Sequence, residues 1–225
     1  MQEALQRHAE GLKYRERNAG TQIDDQMKDE GFNNEIGVDW ETGFVFGGNE
    51  HNCGTWMDKM GSSAKAGNKG KPATPRSGSA VELVGLSMSA LTWLEKLAAQ
   101  KVYPYDGVSA IKNGVSTKVT FNDWCALIKS NFEKHFWINV DQEAEYEPHP
   151  ELINRRGIYK DSFFAKPFWA DFQLRPNFPI AMIVAPQLFT PEHAWIALTQ
   201  AEEVLLGSLG MKTLDPSIQY QSDPT

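Results

Sequence analysis

The run from Gly47 to Gly61 interleaves glycines, amides, Trp56, two methionines and the carboxyl group of Asp58, with neither helical nor strand periodicity. No regular element accommodates such a run. Glycine at this density costs backbone entropy, and the usual reason for it is a shaped surface. Asp58 lies beside Trp56 and between Met57 and Met60. That apolar setting is expected to keep a carboxyl group protonated near neutral pH. A neutral acid against an aromatic wall is what a glycosidase presents to the leaving oxygen of a sugar. A solvated aspartate in a glycine-rich loop is the alternative reading of the same residues.

Helical signals alternate with long irregular stretches along the rest of the chain. Residues 2–18 are polar and helix-prone, ending at Asn18-Ala19-Gly20. Residues 32–77 are rich in Gly, Asn and Pro and are expected to hold at most a short hairpin over 39–46. Ser79 with Glu82 three residues on reads as a capping box opening a helix. That helix carries two apolar rows, Leu83, Leu91, Leu94 and Ala98 on one, and Leu86, Ala90, Trp93 and Leu97 on the other. Such a helix is expected to be packed from both sides. Asn113-Gly114 predicts a hairpin turn before Val115–Val119. A helix from Thr120 then places Phe121, Trp124, Cys125, Ile128, Phe132 and Phe136 on one stripe. Pro179 and Pro186 bound a short helix, and Thr190-Pro191-Glu192 starts a longer one lined by Ala194, Leu198, Ala201 and Leu205. Loops as long as those between these helices are commonly functional.

Thr55-Trp56-Met57-Asp58-Lys59-Met60-Gly61, preceded by Gly43-Phe44-Val45-Phe46-Gly47-Gly48-Asn49, resembles the C-terminal amylo-α-1,6-glucosidase region of the eukaryotic glycogen debranching enzymes. Pro72-Ala73-Thr74-Pro75-Arg76, Gly78-Ser79-Ala80-Val81-Glu82, Arg156-Gly157-Ile158-Tyr159-Lys160-Asp161-Ser162, Gln173-Leu174-Arg175-Pro176-Asn177-Phe178 and Leu209-Gly210-Met211-Lys212-Thr213-Leu214-Asp215-Pro216 follow in the same order. The resemblance implies a mainly α fold, an (α/α)6 barrel of the six-hairpin glycosidase type with loops at one end. The roughly five helices read here fall short of the about twelve such a barrel needs, so an incomplete barrel with long loops and a minor β-hairpin is expected. Residues 1–216 are expected to be part of the catalytic domain, and 217–225 a divergent tail.

The implied activity is hydrolysis of the single α-1,6-linked glucose left as a branch stub on glycogen, with inversion. Inversion needs two carboxyl groups about 6.5–9.5 Å apart, one protonating the glycosidic oxygen and one activating water. Asp58 falls at the position implied for the acid. The general base is expected beyond residue 216, outside this chain, and the 4-α-glucanotransferase region of the family is not represented. An inactive, glucan-binding truncated product is therefore one alternative. An exo-glucosidase of the glucoamylase or trehalase type is another.

Trp56, Trp40 and Trp169 are candidate sugar platforms, whereas Trp93, Trp124 and Trp195 lie on helical stripes and read as core. Lys59 is a candidate for a sugar hydroxyl. Arg175 and Asn177 stand just before a helix, where they reach sugar hydroxyls or, for Asn177, cap the helix. Asp171 orients Arg175 or binds sugar. Asn49, Asn52 and Arg76 are pocket candidates by resemblance, and Glu82 is a competing functional carboxylate that the capping box also explains. A net charge of −7 with scattered Lys and Arg argues against a nucleic-acid or anionic-membrane surface. The longest apolar run, residues 180–185, is too short to span a bilayer. The histidines show no i,i+4 pairing for a metal, and no cofactor motif is present. With Cys53 and Cys125 as the two cysteines and no signal-peptide pattern, the cytosol is the expected compartment.

Overall fold

The computed structural model of the chain describes residues 1–112, 114–141 and 149–218. Asn113 and most of the expected tail lie outside them. Helix α1 (Gln2–Glu10) ends at Gly11, whose φ of +79° no other residue adopts cheaply. The chain then turns into strand β1 (Leu12–Arg15), which pairs antiparallel with β2 (Asn33–Asp39), and β2 pairs with β3 (Phe44–Gly47). The helix expected over 2–18 is thus half that length, and the stretch expected to hold one hairpin contributes a three-stranded sheet.

Two-residue strands β4 (Ser79–Ala80) and, later in the chain, β9 (Ser162–Phe163) pair with each other. Helix α2 (Val81–Ala99) follows directly, so Ser79 belongs to the strand and caps nothing. Val84, Met88, Leu91 and Leu94 form its buried row. The second apolar row is largely open, with Leu86 at 44% and Trp93 at 54% exposure. Strands β5 (Gly107–Lys112) and β6 (Val115–Thr120) form the expected hairpin. Thr120 caps α3 (Phe121–Phe136), its hydroxyl oxygen accepting from the Asp123 amide at 3.0 Å.

The α3 stripe is buried as the periodicity requires, and Trp124 donates its indole N–H to the Gly43 carbonyl at 2.7 Å. Strands β7 (Trp137–Ile138) and β8 (Ile158–Tyr159) pair, and α4 (Phe178–Val184) and α5 (Pro191–Leu205) complete the helices. A last short pair, β10 (Leu206–Gly207) and β11 (Gly210–Met211), follows. The core lies where α2, α3 and α4 meet the sheets. There Phe132 and Phe136 stack at 4.9 Å, and Phe44 tilts against Phe136 at 5.2 Å. Gly85 lets α2 approach α4 so closely that a Cβ there would lie 2.6 Å from the Cα of Ala181.

This architecture corrects the expected mainly α, incomplete (α/α)6 barrel. Helix accounts for 38% and strand for 20%, with five α-helices and five small antiparallel sheets among the described residues. The physical reason is strand pairing across residues 12–47, where the sequence reads as the end of a helix, a loop and at most one short hairpin, together with short strand pairs between segments far apart in the chain. Trp195 is a further correction, 74% exposed where its stripe predicted core.

Candidate functional site

The loop after β3 wraps a buried polar layer. Arg76 is 1% exposed and donates its Nε to Asp161 Oδ2 and both Nη atoms to the carboxylate of Glu82, each at 2.5 Å. Its Nη1 also reaches Thr55 Oγ1 at 3.2 Å and its Nη2 the Asp161 carbonyl at 3.0 Å. Burial alone would lower the Arg76 pKa, yet the two facing carboxylates hold the guanidinium above its ordinary value. Burial pushes the Asp161 carboxyl up, opposed by Arg76 and by Arg175, whose Nε lies 3.8 Å from Asp161 Oδ2. Asn177 completes the layer. It donates to Asp161 Oδ1 at 2.7 Å and accepts the indole N–H of Trp56 on its own Oδ1 at 3.1 Å.

Above this layer is an open cleft of about 360 Å³. Trp56, Asp58, Lys59 and Arg175 line it together with Thr74 and Leu214. Met57 points inward at 9% exposure, while Trp56 is 56% exposed and Asp58 and Lys59 face solvent. The apolar enclosure expected around Asp58 is therefore not built by these residues: the loop turns its methionine in and its carboxylate out. Trp56 is held at one edge by Asn177 and leaves its ring accessible. The Arg175 guanidinium, buried except where it meets the cleft, bonds Gln173 Oε1 at 2.8 Å and the Thr213 carbonyl at 2.9 Å. Among the described residues no cluster of His, Cys, Asp and Glu suits a metal ion.

Residues 1–223 match a family model described as Amylo-alpha-1,6-glucosidase. The glycogen debranching enzyme of Saccharomyces cerevisiae is 50% identical over 218 residues, covering 96% of this chain. The chain belongs to the amylo-alpha-1,6-glucosidase family. It spans 14% of the length of that yeast relative.

Within this family member the sequence candidates divide into three groups. Trp56, Asp58, Lys59 and Arg175 share the cleft. Arg76 and Asn177 lie beneath it, buried, with their polar atoms committed to protein partners; Asn177 sits at the α4 N-cap position without capping it. Asn49, Asn52 and Asp171 lie elsewhere. Asn52 donates to the Gly31 carbonyl at 2.9 Å and accepts the Asn49 amide at 3.0 Å, while the Asn49 side chain donates to the Asn33 carbonyl at 2.6 Å. Both are loop fasteners. Asp171 accepts from Ser162 Oγ at 2.8 Å and from the Ala165 amide at 3.1 Å rather than pairing with Arg175.

Of the two carboxylates that order the site, the sequence singles out Glu82, as a competing functional carboxylate or a capping-box member, and not Asp161. Asp161 lies in a motif that suggests no role for it, and Glu82 fits a capping box that the structure does not form. The signal that could find them is charge balance: two arginines close to apolar runs require buried carboxylates if they are themselves buried.

Proposed function

We propose that this chain supplies the proton-donating side of an α-1,6-glucosidase site, acting on the single α-1,6-linked glucose of a glycogen branch stub with inversion. Asp58 is the general acid, Trp56 the platform for a pyranose face, and Lys59 and Arg175 donors to sugar hydroxyls. The observation that carries this reading is that Asp58 is the sole carboxylate lining an aromatic-walled cleft among the described residues. The same observation supports a base from outside this cleft. Asp161 and Glu82 sit below it, neutralised by Arg76, and neither is free to activate water. The open side of the cleft is where the rest of a longer polypeptide would complete the site. Asp58's exposure in this chain also favours the second reading, glucan binding without turnover when the chain is alone. The cytosol, where glycogen and unpaired thiols coexist, is the proposed compartment.

The test uses a branched maltooligosaccharide, the chain itself, and a chimera in which the chain replaces the matched region of the yeast relative. The chain alone binds and releases no glucose. In the chimera Asp58→Asn lowers glucose release about 10²–10⁴-fold, the range of general acid catalysis. It spares hydrolysis of α-glucosyl fluoride, whose leaving group needs no proton. Equal loss on both substrates, or no loss, overturns the role of Asp58. Turnover by the isolated chain that vanishes in Asp58→Asn overturns the need for an outside base.

A further inference from the structure

The loop that carries Asp58 also walls a second and larger cleft, of about 580 Å³, on the side of Gly48 and Glu50. That volume falls within the range of small-molecule sites, about 300–1,000 Å³. Its most unusual member is Phe164, 62% exposed and held at a φ of +60°. A bulky side chain in the left-handed region is an outlier, and such strain persists only where the surroundings over-determine it. Gly78 is part of that surrounding. A Cβ at Gly78 would lie 2.5 Å from the Phe163 carbonyl oxygen and 2.8 Å from the Phe164 carbonyl carbon, so only glycine admits the approach. The Phe164 ring rests against Phe163 at 4.4 Å, and Phe163 is anchored in the core by Phe44 at 5.8 Å. A rigid support thus presents an apolar ring to water.

Around that ring stand groups suited to a polyhydroxylated ligand. Glu41 and Glu50 line the cleft, and no protein donor meets either carboxylate among the described residues. Ser79 lines it too; the residue is 3% exposed, and its hydroxyl has no protein partner among the described residues. Lys166 faces them from the strand-end segment that follows Phe164. Asp39, by contrast, is committed to its own turn, accepting from the Glu41 amide and from Thr42 Oγ1. An aromatic face with carboxylate acceptors, a hydroxyl and an ammonium donor fits a neutral sugar chain better than an anion, which Glu41 and Glu50 would repel, or an apolar ligand, which would leave them unpaired.

We propose that this cleft is a second carbohydrate site that holds a linear α-glucan segment, with Phe164 as its platform and Glu41, Glu50 and Ser79 bonding its hydroxyls. Its ligand class rests on the glucosidase reading above; its geometry does not. Because one loop walls both clefts, a glucan seated on Phe164 lies beside the loop that presents Asp58.

Isothermal titration of the chain with maltopentaose tests this. The wild type binds, and Phe164→Ala binds at least about tenfold more weakly, which corresponds to 1.4 kcal/mol. Phe164→Gly does the same while keeping or raising the unfolding midpoint, since glycine tolerates the backbone angle. That result separates loss of the ring from loss of the fold. No binding by the wild type, or unchanged affinity in both Phe164 variants, overturns the proposal. If the chimera releases no glucose while maltopentaose binding still depends on Phe164, the glucosidase reading fails and this cleft stands.

Discussion

Asp171 is a buried carboxyl group whose ionisation the fold opposes. Desolvation pushes it up to about 7, against the hydrogen bonds from Ser162 and the Ala165 amide and the nearby Lys160 ammonium, all of which favour the charged form. In the unfolded chain the same group titrates near 3.8. The folded state therefore binds the proton more tightly, so stability from this group is complete below the unfolded value and is lost as pH rises through the folded one. At 1.36 kcal/mol per pH unit between the two values the full loss is about 4 kcal/mol, and about 2–3 kcal/mol of it falls between pH 5 and pH 8. Asp171→Asn removes the titration. Its amide oxygen still accepts from Ser162 and Ala165, and any cost of the amide nitrogen is the same at every pH. Urea unfolding of both proteins at pH 5, 6, 7 and 8 reads the effect as a difference in slope, from which the other titrating groups cancel. The wild type loses about 2–3 kcal/mol relative to the variant across that interval. Parallel stability profiles would refute the reasoning.

Substitutions at three further positions test the layer beneath the cleft and the helix packing behind it. Arg76→Met leaves Asp161 and Glu82 buried without their shared cation and costs about 3–5 kcal/mol in urea unfolding, with Arg76→Lys recovering only part because an ammonium cannot bond both carboxylates in one plane. Asn177→Leu costs about 1–3 kcal/mol through the lost bond to the buried Asp161 carboxylate and the unpaired Trp56 indole; the Trp56 indole N–H resonance, assigned by its loss in Trp56→Phe, moves upfield as its acceptor disappears. Gly85→Ala forces α2 away from Ala181 and lowers stability by about 1–3 kcal/mol, measured as the shift in unfolding midpoint.

The helices with one strong period are legible in the sequence. The stripe from Phe121 to Phe136, the Thr120 cap and the Pro191 start all follow from local rules that act within a few residues. The local hairpin of β5 and β6 is legible too, but pairing between distant segments is not, because Leu12–Arg15 becomes a strand only by meeting Asn33–Ile36, some twenty residues away. Trp93 and Trp195 mislead for a related reason: their stripes are apolar, but periodicity identifies a sticky face without naming what covers it. At the site, the motif around Trp56 and Asp58 does mark a real cleft, and Arg175 joins it. Arg76 and Asn177 read as pocket residues and lie beneath the pocket. Arginine and asparagine serve equally as ligand contacts and as buried scaffolding, and only burial and partners tell the two apart.

That depth explains how an irregular chain can present a defined surface. The loop from Gly47 to Gly61 has few ladder hydrogen bonds of its own, so its shape must come from what it touches. Arg76 ties Thr55 of that loop to Glu82 at the start of α2 and to Asp161 beyond β8, and Asn177 at the start of α4 ties Trp56 to the same Asp161. Four segments distant in sequence thus converge on one guanidinium and one carboxylate. A buried ion network of this kind adds little net stability over a well-packed apolar core, yet it is unforgiving of any other arrangement, because each displaced partner leaves a charge uncompensated. An apolar layer would let the loop slide among near-equivalent packings; the charged one fixes the pose of Trp56 and the direction in which Asp58 leaves the loop. The expense of burying two arginines under a surface loop is then the means by which backbone without regular structure holds an acid and an aromatic ring in register.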